Sequence, residues 1–165
     1  MTLLTKTEIL IKKLMKAKMS IAVAESCTGG YISNMITNIS GASNVFERGI
    51  ICYSNKSKID LLNVEPEIIE KHGAVSELVA RQLALNVRLL SNSNIGISTT
   101  GIAGPTGGTS EKPIGLVYIG ISSENETIVK KYQLSAERMV FKEKVFEIIL
   151  SLLENIVNKS PNSDF

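Results

Sequence analysis

The chain contains no tryptophan, four phenylalanines, four prolines, two cysteines and one histidine. Each scarcity removes a class of function. Without tryptophan, and with few other aromatics, there is no series of stacking platforms for single-stranded nucleic acid. His72, Cys27 and Cys52 cannot by themselves assemble a Cys/His zinc site or a multi-histidine metal centre. A Ser-His-Asp triad would have to use His72. Basic and acidic side chains nearly cancel, 18 against 16, for a net charge of +2. That leaves no strong field for a polyanion or an anionic membrane, so neither nucleic acid nor membrane is an expected partner. No run approaches the roughly 18 apolar residues of a membrane span. The opening MTLLTKTEILIKKLMKAKM lacks the apolar core of a signal sequence. The two cysteines therefore read as free thiols in a reducing compartment, and the expected location is the cytoplasm.

What is present is ordinary for a soluble globular protein: 165 residues, 44% apolar and 21% charged. That length supports one domain with a core large enough to fold without staples. We assign the domain to 1–157 and a polar, mobile tail to 158–165. Helical periodicity predicts an amphipathic helix over 5–18, with Thr5 and Glu8 as a capping box. Further helices are predicted after residue 30, over 55–62, 66–71 and 76–91, and over 136–157. Short apolar runs predict strands at 20–24, 49–53, 94–99, 115–122 and 127–134. The first three strands are joined by helical stretches, which favours parallel neighbours with helices on both faces. The last two form a hairpin. The expected fold is a three-layer α/β/α sandwich with a mixed, mainly parallel five-stranded sheet.

Ligands of open α/β sheets bind beyond the carboxyl ends of the parallel strands. Three segments should meet there. The first is Glu25-Ser-Cys-Thr-Gly-Gly30, with Ser26 as a nucleophile and the N–H groups of Thr28, Gly29 and Gly30 as oxyanion donors. The same residues also read as a helix cap, and Cys27 as either a rival nucleophile or a small apolar residue. The second is Tyr53-Ser-Asn-Lys-Ser-Lys58. With histidine nearly absent, a serine would need a lysine as its base, either Lys56 or Lys58, with Tyr53 as a proton relay. The third is the loop 101–114, GIAGPTGGTSEKPI, with four glycines and two prolines. It is neither a P-loop nor a dinucleotide fingerprint, yet its backbone could surround a phosphate or ribose. His72 reads as a partly buried packing or capping residue, and Arg138 as a surface residue or an anion clamp.

Four blocks stand in order: AESCTGG (24–30), FERGIICYSNKSK (46–58), HGAVSE (72–77) and GIAGPTGGTSEKPIG (101–115). Together they closely resemble the C-terminal domain of the competence/damage-inducible CinA proteins, the nicotinamide-nucleotide amidohydrolase family, over roughly residues 8–155. The molybdopterin-binding-like N-terminal domain of longer CinA proteins has no counterpart here, so the stand-alone form is expected. The resemblance implies hydrolysis of the carboxamide of nicotinamide mononucleotide to nicotinic acid mononucleotide and ammonia, a step of pyridine-nucleotide salvage, without a cofactor or metal. By motif position Ser26 matches the nucleophile and Lys58 the base, with Tyr53 beside it, while Lys56 falls at a variable position. Cys27, Thr28, Gly29, Gly30 and Asn55 are candidate substrate-binding residues. So are Thr100, Gly101, Gly104, Gly107 and Arg138. Lys142 stands where the family often has a second arginine. A homodimer is also implied. The other reading is a nucleotide-binding regulatory module of the same fold that does no chemistry.

Overall fold

The computed structural model describes residues 1–159. Its sheet is built around two short strands that are almost wholly apolar. Strand β1 (Ile21–Glu25) is buried at every position, and β3 (Ile95–Gly101) at all but its last. Such continuous burial is the mark of strands covered on both faces. They pair in parallel. On the other side of β1 lies β2 (Phe46–Ile51), also parallel. The hairpin of β4 (Leu116–Ser122) and β5 (Thr127–Gln133) completes the sheet with two antiparallel pairings, in the order β2-β1-β3-β4-β5. The α/β/α sandwich with a mixed five-stranded sheet is therefore the fold of this chain.

Alternation along the strands decides which helix goes where. Ile21, Val23, Ile95, Ile97, Val117 and Ile119 project to one face. There they pack against α1 (Leu3–Ala17), α2 (Tyr31–Thr37) and α6 (Arg138–Asn158). The opposite face carries small residues, Ala22 and Ala24 among them. It is covered by α3 (Asn55–Leu62), α4 (Pro66–His72) and α5 (Glu77–Ser91). Small residues let α5 approach closely. A Cβ on Gly96 would stand 2.1 Å from the Ala84 carbonyl oxygen, and the Ser98 hydroxyl donates to the Ala80 carbonyl at 2.6 Å.

Three expectations need correction. Helix α1 begins at Leu3, because Thr2 is itself the cap: its Oγ1 accepts from the Thr5 N–H at 3.1 Å, so Thr5 and Glu8 form no capping box. Strand β2 begins at Phe46 and not at Gly49. Its register on β1 starts at Ile21↔Phe46, and the exposed Glu47 and Arg48 belong to an edge strand, where charge is tolerated. Asn158, assigned to the tail, closes α6, and residues 160–165 lie outside the described residues.

Candidate active site

The carboxyl ends of β1, β2 and β3 lie side by side, as parallel pairing requires. Ser26 follows β1 directly and is held by its N–H, which donates to the Thr99 carbonyl at 3.0 Å. The end of β2 is tied to β1 by the Cys52 N–H on the Glu25 carbonyl at 2.9 Å. Two residues later the Ser54 hydroxyl caps α3, accepting from the Ser57 N–H at 3.0 Å. That cap sets the helical phase at Lys58, in the first turn, so that its side chain runs inward.

Lys58 is only 1% exposed. Its Nζ lies 2.9 Å from Ser26 Oγ, 2.8 Å from the Cys52 carbonyl oxygen and 3.1 Å from that of Tyr53. No carboxylate is bonded to it among the described residues. Burial lowers its pKa from the ordinary lysine range, outweighing the opposite pull of the neighbouring Cys52 and Cys27. A neutral amine has two N–H donors and one lone pair. Two carbonyls and one hydroxyl are what such a group can satisfy.

Ser26 and Lys58 open into a cleft of about 260 Å³, which Cys27, Tyr53, Thr100, Gly101, Gly104, Gly107 and Arg138 also line. The Thr100 hydroxyl donates to the Ala74 carbonyl at 2.8 Å, holding Ala74 and Val75 as one wall. Arg138, the first residue of α6, crosses the mouth: its guanidinium donates to the Gly104 carbonyl at 2.7 Å and to the Tyr53 hydroxyl at 2.8 Å. A larger cavity of about 830 Å³ lies at the opposite end of the sheet, lined by residues such as Met19, Arg88 and Ile121, and none of its serines is bonded to a lysine.

Several candidates stand elsewhere than expected. The Tyr53 hydroxyl belongs to Arg138, and Lys58 meets only the Tyr53 carbonyl, so the phenol has no contact that would relay a proton to the pair. Asn55 is exposed at the start of α3 and is not part of the cleft wall. Thr28 is fully buried behind the wall, its hydroxyl on Glu25 and Thr99. The Gly29 and Gly30 N–H groups are already engaged, by the Ser26 carbonyl at 3.1 Å and the Glu25 carboxylate at 3.0 Å. The N–H of Cys27, which lines the cleft, donates to no other residue among the described ones. The Cys27 thiol is pushed up to about 12 by burial, the wrong direction for a nucleophile. Lys56 is exposed and paired with Asp60, and His72 is exposed at the end of α4, where its carbonyl accepts from Lys112. Ala74, Val75, Ile102, Ala103 and Thr106 complete the wall without having been singled out. Glu25 is a site residue that the sequence motifs do not single out; the signal for it is a helix that opens at Gly30, which has no side chain to cap it, so that another acceptor must serve its first turn.

Among the described residues no helix is long and apolar enough to cross a membrane, and no three His, Cys, Asp or Glu gather as metal ligands.

The sequence model of the CinA C-terminal domain matches residues 4–157. A protein named as a competence-damage inducible protein in Thermoanaerobacter sp. (strain X514) is 52% identical over 131 residues, 79% of this chain and 32% of its own. One of the same name from Alkaliphilus oremlandii is 46% identical over 154 residues, 93% of this chain and 37% of its own. The chain thus spans about a third of the length of these curated relatives. Among solved structures, the competence/damage inducible protein CihA from Agrobacterium tumefaciens superposes with a TM-score of 0.87 at 32% identity, covering 93% of this chain and 96% of that one. A CinA superfamily protein from Klebsiella pneumoniae reaches 0.91 at 21% identity, with 95% and 98% covered, and is similar in fold.

Proposed function

The chain belongs to the CinA C-terminal domain family, and on that footing we propose that it hydrolyses the carboxamide of nicotinamide mononucleotide to nicotinic acid mononucleotide and ammonia. One observation carries the reading: a buried lysine, with no carboxylate partner among the described residues, 2.9 Å from a serine hydroxyl that lines a cleft. Burying a lysine without a counter-charge costs stability and favours its neutral, basic form, and a serine is a poor nucleophile without a base.

In the proposed reaction neutral Lys58 accepts the Ser26 proton as Oγ bonds to the amide carbon. The oxyanion that forms is met by the N–H of Cys27, which lines the cleft beside Ser26. Donors of that kind contribute about 3–4 kcal/mol each in acyl transfer. The tetrahedral adduct collapses as protonated Lys58 gives its proton to the departing nitrogen, releasing ammonia and leaving an ester on Ser26. Lys58, neutral again, takes a proton from water. The resulting hydroxide adds to the ester carbon, and collapse returns Ser26 its proton and frees the acid. Arg138 at the cleft mouth is suited to the phosphate, so that binding remote from the amide orients it.

The test is product identity. Purified protein incubated with nicotinamide mononucleotide should form nicotinic acid mononucleotide and ammonia in equal amounts, followed by chromatography and an ammonia assay. Binding of the nucleotide, seen as a raised Tm, with neither product formed would favour the regulatory module instead.

A further inference from the structure

Glu25 ends β1 with its side chain fully buried. Five donors meet its carboxylate, and no ammonium or guanidinium does among the described residues. One oxygen accepts from the Thr28 hydroxyl at 2.7 Å, the Gly30 N–H at 3.0 Å and the Ile32 N–H at 3.1 Å. The other accepts from the Ser33 N–H at 2.8 Å and the Ser33 hydroxyl at 2.7 Å. These N–H groups are the orphan donors of the first turn of α2. Gly30, at the cap position with a φ of +94°, has no side chain to serve them. Glu25 reaches over the intervening turn and takes the place of a cap, and its charge lies at the positive end of the helix.

Ser26 is the residue between this anchor and the turn it anchors. Its neighbours are fixed on both sides: the Glu25 carbonyl accepts the Cys52 N–H, and the Thr28 hydroxyl lies 2.9 Å from that of Thr99. Glu25 itself is not among the residues that line the cleft. It cannot touch a substrate there, and it cannot be the base.

We infer that Glu25 is a positioning residue: its carboxylate occupies the donors of α2, holds the turn that aims Ser26 Oγ at Lys58, and leaves the Cys27 N–H facing the cleft for an oxyanion. This rests on the Ser26–Lys58 reading. Glutamine in its place would keep the shape but turn an NH₂ toward a donor, so the turn would shift. Misplacement of a reacting atom by about 1 Å costs rate on the order of a hundredfold.

The test uses Glu25→Gln and Ser33→Ala in the full chain, the second keeping the carboxylate and removing one donor. The measurements are kcat, KM and the acid limb of the pH profile with nicotinamide mononucleotide, and the rate of Ser26 labelling by phenylmethylsulfonyl fluoride. We expect kcat to fall about a hundredfold in Glu25→Gln, with KM within about twofold and the acid limb unmoved. Ser33→Ala should show a smaller fall of the same kind. Unchanged kcat in Glu25→Gln overturns the inference. So does a shifted acid limb, which would mean a charge effect on Lys58, or a KM that rises as far as kcat falls. If Glu25→Gln fails to fold, Ser33→Ala decides on the same terms. A wild type without ammonia release defeats the proposed function alone, and labelling then decides: slower in the variants supports positioning, and equal rates overturn it. A wild type neither active nor labelled overturns both.

Discussion

Lys58 Nζ and Ser26 Oγ lie 2.9 Å apart, although 32 residues separate them along the chain. The contact joins the first turn of α3 to the end of β1, and the parallel pairing of β1 with β2 brings those two points together. A lysine held this deep has lost most of its hydration. Its functional and its thermodynamic consequences can be measured separately.

Replacing Lys58 with methionine keeps the length and apolar stem and removes the amine. Activity should fall by about 10²–10⁴-fold, the usual contribution of a general base. Folding should not suffer in proportion, because an apolar group then fills a site that disfavoured a charge. The expected result is a Tm equal to or above that of the wild type.

The direction of the Lys58 shift also fixes a pH dependence. Its folded pKa lies below the ordinary 10.5. Activity should rise with pH along a limb centred below that value, as the amine becomes neutral. Between the two pKa values the unfolded chain holds a proton that the folded chain lacks, so stability rises with pH across this window. Below the folded pKa both states are protonated and the dependence ends. Denaturant titrations of wild type and Lys58→Met should therefore converge, or the wild type should gain, as pH climbs toward 10.5. A flat difference would contradict the assignment.

Both thiols should be inert in the folded protein. Cys27 and Cys52 are buried, and burial raises them to about 12 and about 11. Iodoacetamide at neutral pH should label neither until denaturant is added, as read by mass spectrometry. Rapid labelling of Cys27 in the native state would return it to consideration as a nucleophile.

Arg138 donates to the Gly104 carbonyl and the Tyr53 hydroxyl at the cleft mouth. If it also holds the phosphate, Arg138→Ala should lower kcat/KM by about 10–150-fold, the equivalent of a charged hydrogen bond of roughly 1.5–3 kcal/mol, and act chiefly on KM. With nicotinamide riboside, which has no phosphate, the same substitution should have little effect.

Close packing of α5 gives a stability test remote from the cleft. Gly96→Ala would put a Cβ 2.1 Å from the Ala84 carbonyl oxygen and 2.6 Å from Arg88 Cβ. Backbone has little room to yield, so a loss of about 1–3 kcal/mol is expected. That corresponds to a Tm lower by several degrees, at roughly 2–4 °C per kcal/mol for a chain of this size.

The convergence of three strand ends on one rim was legible, because connection lengths and apolar runs determine it. From its place after a buried run Ser26 reads equally as a helix cap, and motif position is what matches it to the nucleophile. The choice of Lys58 over Lys56 came from motif position alone. Two residues on a helix stand roughly 200° apart, and which of them faces inward depends on the phase set by the Ser54 cap. Glu25 was not legible as an anchor, since a carboxylate's burial is set by the donors folded around it. With that carboxylate in place the Gly30 N–H is not free for an oxyanion. The Tyr53 phenol went to Arg138, a residue 85 positions away, by a contact that no local pattern announces.

The central claim is that Ser26, activated by Lys58, cleaves an amide. Ammonia release from nicotinamide mononucleotide by wild type, Ser26→Ala, Lys58→Met and the double variant tests it most directly. The account predicts release by the wild type, a fall of about 10²–10⁴-fold in Lys58→Met and one at least as large in Ser26→Ala, and no further fall in the double variant, because the pair acts as a unit. Full release by either single variant would contradict it.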